Sequence, residues 1–257
     1  MSILLNSLLL VLREVLEAAV LLGLLWNYSK LARLPTRWVV PAGLTGIVIA
    51  ICYAAGIQLI TDLWDGTGQE WISSMLHFAV YLPVVLLVGA LYRPVNTRLL
   101  VAAMVLIFIS ASIREGSEIV VYIGAFMDAP SVKGAVFSGA LIGAGIGISC
   151  GVLVSTFLGT LRAHQARFWV GLLLVLVASG MMLQAVALLD QASLVGHSTK
   201  AYDLEFLISE DSVLGRLLYA VFGYDSQPTW LQLGVYLASL TVALGVVLVA
   251  KRIPNNG

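Results

Sequence analysis

Long apolar segments follow one another along almost the whole of this chain, and they constrain its fold more than any other feature. A helix needs about 20 mostly apolar residues to cross a bilayer, and seven segments reach that length. Only 11% of the 257 residues are charged, whereas an average soluble domain is about 25% charged. We therefore predict one all-α polytopic membrane domain over residues 1–257. Its seven transmembrane helices are expected at about 3–27, 38–61, 70–92, 98–128, 133–160, 167–191 and 229–250.

The charged residues between these segments predict the orientation of the chain. One side carries nine basic residues and no acidic residue: Lys30, Arg33, Arg37, Arg93, Arg98, Arg162, Arg167, Lys251 and Arg252. The positive-inside rule assigns this side to the cytoplasm, so the N-terminus is expected outside and the C-terminus inside. The longest connection, 192–228, is then an outer-side loop.

The opposite side is acidic. It carries ten acidic residues and three basic ones, and the acidic set is Asp62, Asp65, Glu70, Asp128, Asp190, Asp203, Glu205, Glu210, Asp211 and Asp225. Such a surface gathers cations, because summed charge raises the local concentration of counter-ions. The alternative interpretation is that it only reflects the basic residues being kept on the inner side.

Two pentapeptides place charge inside apolar segments. Residues 13–17 and 114–118 both read Arg-Glu-x-x-Glu, and each lies within a predicted span. A charge near the centre of a bilayer costs about 2.5–3.5 kcal/mol even on lenient scales. Each helical residue turns the chain by about 100°, so the three charges of a motif occupy one stripe of their helix. These stripes are expected to face each other or a water-filled cavity, not lipid.

The two motifs together predict a cation site. Glutamate at i+4 is a neighbour of arginine on a helix, so we expect Arg13 to pair with Glu17 and Arg114 with Glu118. Four carboxylates against two guanidinium groups leave a formal charge of minus two, which a cation or protons would neutralise. Carboxylate oxygens suit hard cations, and iron is compatible with them. We predict Glu14, Glu17, Glu115 and Glu118 as metal ligands, supported by Arg13 and Arg114. Structural ion pairs would need only one acid per arginine.

The spacing of the motifs predicts an inverted repeat. Each motif lies in the first helix of a set of three, and the second motif lies three spans further along the chain, an odd number, so the two helices cross in opposite directions. Such repeats bind their substrate near the midplane, between the halves. The fold expected is therefore an inverted 3+3 repeat followed by one C-terminal helix.

Further residues have weaker patterns. Glu70 opens the third span, three residues before Ser73. It is either an auxiliary ligand on the outer approach or an ordinary acid in a first helical turn. His77 lies seven residues further and could line the same face, although a lone helical histidine more often packs within a hydrogen bond. Glycines at spacing four in the fifth span predict a close-packing face, within the fold or between protomers of a homo-oligomer: Gly139, Gly143, Gly147 and Gly151. Residues 211–224 predict an amphipathic helix on the outer interface.

With these motifs, the chain resembles the high-affinity iron permease family, also called the oxidase-dependent iron transporters. The resemblance rests on residues 13–18 and 114–118, on Gly68-Gln69-Glu70, and on a C-terminal stretch containing 214–218, 222–224 and Pro228. Two sequence positions depart from it: Ser73 replaces a glutamate of many bacterial relatives, and Ser117 replaces a common leucine. The first departure puts part of an auxiliary acidic site in doubt.

The resemblance implies uptake of iron, in the ferric form, through a seven-helix permease whose motif glutamates bind the ion. It implies iron as substrate, no permanently bound cofactor, and dependence on an oxidase or an extracytoplasmic iron-binding partner. We expect a multi-pass protein in contact with lipid, in the plasma membrane, as in the inner membrane of a bacterium.

Two other functions are compatible with buried carboxylates. A transporter of ferrous iron, manganese or lead would use the same ligands, because carboxylates do not fix metal identity. An intramembrane metalloenzyme is less favoured, since His77 has only His164 and His197 as companions, on loops at opposite sides, and no HExxH motif is present. Nothing in the sequence predicts nucleic-acid binding.

Overall fold

A computed structural model describes residues 3–196, 198–209 and 212–252 of the chain. His197, Glu210 and Asp211, on which some of the predictions above fall, lie outside the described residues. The helices are α1 (Ile3–Leu31), α2 (Val39–Ala55), α3 (Ile57–Thr61), α4 (Gly68–Ala90), α5 (Thr97–Gly124), α6 (Pro130–Thr160), α7 (Ala163–Gln191), α8 (Val213–Phe222) and α9 (Trp230–Arg252). Within the described ranges the all-α prediction is confirmed, and the one β-bridge joins Lys200 to Thr229.

Five of these helices are long and apolar enough to cross a membrane: α4, α5, α6, α7 and α9. Helix α1 is 29 residues long but contains the three charges of the first motif. The second predicted span, 38–61, is not continuous, because α2 ends at Ala55 after 17 residues and the short α3 begins after Gly56. The architecture agrees with a polytopic membrane protein, and the count of seven spans stays a prediction.

The glycine stripe of α6 is a packing face within the fold. A Cβ atom added at Gly139 would lie 2.4 Å from the carbonyl oxygen of Leu4, and one at Gly151 would lie 2.5 Å from Cβ of Ala19. Residue numbers rise together along this contact, so α1 and α6 run parallel. Small residues allow such close backbone approach in membrane helices.

The remaining long helices pair in a related way. Helix α2 runs parallel to α5, where Gly46 lies against Ser112 and Gly116 lies against Ala50. Helix α4 runs antiparallel to α7, with the Ser74 hydroxyl donating to the Ala185 carbonyl at 3.0 Å. Nearer the other end of these two helices, Gly171 lies against Leu91. These pairs enclose a core of fully buried side chains that includes Leu21, Leu24, Leu25, Tyr28, Leu87 and Ile107.

Helix α8 enters the helix bundle, whereas the sequence predicts it on the outer interface. It packs against α1 and α7, and its C-terminal end meets α7 at Gly180, eleven residues before that helix ends at Gln191. At 1.5 Å per residue this is about 16 Å along the axis of α7. A Cβ at Gly180 would lie 2.6 Å from the carbonyl carbon of Phe222, so only glycine permits the contact.

After α8 the chain reverses and returns to the end of the bundle at which α4 begins and α7 ends, the predicted outer end. Gly223 adopts a left-handed conformation with φ of 67°, and its N–H donates to the Tyr219 carbonyl at 2.9 Å, which closes the helix. The returning stretch of chain forms backbone hydrogen bonds with the preceding loop. The Leu204 N–H donates to the Ser226 carbonyl, and the Ala201 N–H donates to the Pro228 carbonyl. We call residues 212–229 the re-entrant segment.

Candidate metal site between helices α1 and α5

The two charged motifs face each other across antiparallel helices. Arg13 of α1 lies beside Glu118 of α5, and Glu17 of α1 lies beside Arg114 of α5. Residue numbers therefore rise along α1 while they fall along α5. The opposite directions that the sequence predicts for these two helices are present in the structure, and all six charges meet at one level of the bundle.

The ion pairs run both between the two helices and along each of them. The Arg13 Nη2 group donates to Glu118 at 3.2 Å, and its Nε donates to the adjacent Glu14 at 2.7 Å. The expected pair between Arg13 and Glu17 is not among the ion pairs of the described residues. The reason is geometric, since the antiparallel α5 brings Glu118 within reach of Arg13 and Arg114 within reach of Glu17.

Arg114 is the more deeply placed of the two arginines. Its Nη1 donates to Glu17 at 3.0 Å and to Glu115 at 2.7 Å. Its Nε lies 3.7 Å from Glu118, so the predicted i,i+4 pair exists as a long contact and not as a two-pronged fork. One guanidinium therefore holds carboxylates from both helices in place.

Burial divides the site into a closed and an accessible side. Glu14, Glu17 and Glu115 have at most 4% of their surface exposed, and Arg114 has 9%. By contrast, the side chains of Arg13 and Glu118 are 33% and 38% exposed. An ion would therefore meet Glu118 and Arg13 first and the buried carboxylates afterwards.

Three of the four motif glutamates can converge on one ion. Glu14, Glu115 and Glu118 each offer a carboxylate oxygen, and these oxygens all lie within 4.8 Å of one another. One oxygen each of Glu14, Glu17 and Glu115 is buried and has no hydrogen-bond partner among the described residues. A buried polar atom without a partner costs about 1–3 kcal/mol, and more when it is charged. A bound cation would satisfy these oxygens.

A cavity of about 270 Å³ adjoins Glu118 on the side of the predicted outer end. Helices α1, α4, α5, α7 and α8 all contribute to it. Its polar lining consists of Arg13, Gln69, Glu70, Ser73, Arg114, Glu118, Gln184, Gln191 and Tyr219. A second cavity, of about 360 Å³, shares four of these residues and adds Tyr53, Ser117 and Tyr122. Glu118 thus faces polar space that water or a hydrated ion can fill.

The two auxiliary candidates are placed differently. Glu70 lines the first cavity together with Glu118, and its buried Oε2 has no hydrogen-bond partner within the described ranges. His77 is 1% exposed and lines neither cavity. Its Nδ1 bonds to the Ser73 carbonyl at 2.7 Å and its Nε2 to the Gln184 carboxamide at 3.1 Å. As it stands, His77 is a hydrogen-bonded packing residue whose two ring nitrogens are both engaged.

Comparison with known proteins identifies the family of this chain. The model of the iron permease FTR1 family matches residues 71–253, a region that contains the second motif. The chain belongs to the iron permease FTR1 family. As a member of this family it is a transmembrane permease concerned with iron transport. Membership of the FTR1 family points to transport and away from the intramembrane metalloenzyme.

Curated relatives of this FTR1 family member extend over nearly the whole chain. A "ferrous iron permease EfeU" of Yersinia pestis is 31% identical over 258 aligned positions, which cover 90% of this chain and 89% of the relative. The protein of the same name from Escherichia coli O157:H7 is 25% identical, with 92% of each chain covered. No solved structure matches the chain.

Several residues of this FTR1 permease line the cavity although the sequence did not predict them as site residues. They are Gln69, Gln191 and Tyr219, with Gln184 linking Tyr219 to His77. Uncharged amides in or beside apolar helices are a weak signal, because they more often satisfy a neighbouring backbone group. Tyr219 could not have been found from its helix, whose amphipathic pattern predicts a surface position.

Proposed function

We propose that this permease takes up iron across the membrane and that Glu14, Glu115 and Glu118 bind the ion. The observation that carries this proposal is the convergence of three carboxylate oxygens within 4.8 Å of one another at a site where two of the residues are fully buried. Hard oxygen ligands suit iron in either oxidation state. Family membership supports iron as the substrate.

Charge balance supports the binding of a cation. Four carboxylates and two guanidinium groups leave a formal charge of minus two, which a divalent ion neutralises. Arg13 and Arg114 keep the ion-free state tolerable, because each donates to glutamates of both helices. Glu17 is the fourth carboxylate of this site; one of its oxygens accepts from Arg114 and the other has no partner among the described residues. Glu17 can also bind the ion if the Arg114 side chain moves away from it.

We propose that the ion reaches the site from the predicted outer end through the cavity at Glu118. Glu70 faces the same cavity and serves as an auxiliary carboxylate on this approach. His77 is better described as a support than as an auxiliary ligand, because both of its ring nitrogens are hydrogen-bonded. Dependence on an oxidase or an extracytoplasmic iron-binding partner, the absence of a resident cofactor and the plasma-membrane location are carried over from the resemblance.

We further propose seven crossings, with the N-terminus outside, arranged as an inverted 3+3 repeat plus α9. The packing of the helices supports this repeat. If α1, α2 and α4 correspond to α5, α6 and α7 in that order, the pair α1/α6 corresponds to the pair α5/α2. Both pairs are parallel. The close use of the glycine stripe by α1 leaves that stripe unavailable to a second protomer. With Cys52 and Cys150 replaced by alanine, a single cysteine placed at Arg33 or Arg98 should react with an impermeant thiol reagent only in inside-out vesicles. Reaction in right-side-out vesicles would contradict the proposed orientation.

Uptake into proteoliposomes tests the function. We expect the purified permease to carry radiolabelled iron into vesicles, and excess unlabelled iron to compete more strongly than manganese or lead. Ferrous iron is supplied with a reductant and ferric iron as a soluble chelate. The resemblance favours the ferric form, whereas the EfeU relatives are named for ferrous iron. Equal competition by manganese would contradict iron as the preferred substrate.

A further inference from the structure

The cavity that leads to Glu118 is bounded by one element unlike the others. Its walls come from the long helices α1, α4, α5 and α7, and from Tyr219 of the ten-residue α8. Non-helical backbone at membrane depth is tolerated only where it is buried in protein or lines a water-filled cavity. The re-entrant segment meets this condition because it lies against the charged site.

Besides its packing against α1, described contacts with α7 hold this segment at its depth. The backbones of Gly180 and Gly223 touch, and a Cβ at Gly223 would lie 2.4 Å from the Gly180 Cα atom. One turn along α7, the Gln184 side chain donates to the Tyr219 carbonyl at 3.2 Å and also bonds to His77. Among the described residues, the glycine contact and the Gln184 amide therefore hold α8 against α7.

The Tyr219 side chain itself is not held by a hydrogen bond to a described residue. The hydrogen bonds of the described residues include none to its hydroxyl group, and Tyr219 lines the same cavity as Arg13, Arg114 and Glu118. This partly exposed aromatic residue, held beside the charged site by a short helix, occupies space on the approach to Glu118 through this cavity.

We propose that the re-entrant segment is the outer gate of this permease and that Tyr219 is the residue that narrows the ion's path to Glu118. The inference rests on the proposed function, since it takes Glu118 as part of the ion site. In the structure α8 restricts the cavity. Movement of α8 away from Gly180 would carry Tyr219 out of the cavity and open the site.

The test measures access and needs no iron. Ala187 lines the cavity that Tyr219 bounds and does not line the second cavity, and it is replaced with cysteine in a background with Cys52→Ala and Cys150→Ala. The probe is a membrane-impermeant, positively charged thiol reagent added from the predicted outer side. Gly180→Ala adds a methyl group against the Phe222 backbone and should displace α8, so we expect labelling to become several-fold faster. Gly145→Ala is the matched control, because a Cβ there meets nothing within 4 Å and should leave the rate unchanged.

Two substitutions at Tyr219 keep the proposal testable if Gly180→Ala fails to fold. Tyr219→Ala removes the ring and should also speed labelling several-fold, whereas Tyr219→Phe keeps the ring and should label like the parent. Unchanged labelling in folded Tyr219→Ala would overturn the gate. Because the rate is measured without iron, loss of iron uptake in the glutamate variants would leave this result interpretable.

Discussion

Glu115→Gln is expected to abolish iron uptake while the permease still folds and inserts. The substitution keeps the shape of the side chain and removes its charge, so an ion at the site loses an anionic ligand that is 2% exposed. Altering a group that merely supports a metal ligand costs about 10–100-fold in affinity, and loss of a ligand costs more. Glu14→Gln should have the same effect, because Glu14 belongs to the same group of three carboxylates.

Uptake of radiolabelled iron into proteoliposomes measures this effect, with the amount of inserted protein determined in parallel. Asp128→Asn is the matched control, since Asp128 is an exposed carboxylate just beyond the end of α5. It should transport like the parent protein. If the variant with all four motif glutamates changed to glutamine still transports iron, the proposed site is wrong.

Arg114→Gln is expected to destabilise the fold, unlike the glutamate substitutions. Arg114 donates to Glu17 and Glu115, both buried, and its loss leaves their charges without a counter-charge. Removing one partner of a buried ion pair typically costs about 3–5 kcal/mol. Arg13→Gln should cost less, because Arg13 and Glu118 are both about one-third exposed to solvent, so that only one of its two partners, Glu14, is a buried charge.

A rescue experiment separates this electrostatic effect from a loss of packing. Adding Glu17→Gln and Glu115→Gln to Arg114→Gln removes the stranded charges and should restore much of the unfolding temperature in detergent, without restoring iron uptake. An Arg114→Gln variant that unfolds at the parent's temperature would contradict the role given to this arginine. A triple variant as unstable as the single one would assign the effect to packing.

The two charged motifs illustrate what a helical pattern can and cannot predict. The 100° rotation per residue correctly predicts that the three charges of a motif share one stripe, since that depends only on local geometry. It does not predict the pairing partners. Arg13 meets Glu118, and Arg114 meets Glu17, because the antiparallel approach of two helices 97–105 residues apart decides which charges lie within 4 Å.

Helix α8 illustrates a different limit. Its amphipathic pattern predicts a helix with one apolar face, and the structure has a helix there. The pattern does not say whether lipid headgroups or other helices cover that face. Gly180 and Gly223 decide it, because the absence of both side chains lets two distant backbones touch.

The sequence by itself determined the helical class, the charged stripes and their excess of two carboxylates, since hydrophobic run lengths and charge counts are local quantities. The tertiary structure decided which three carboxylates converge, which side of the site is accessible and where α8 lies. These features depend on distances between residues far apart in the chain, and close packing of the helices sets those distances.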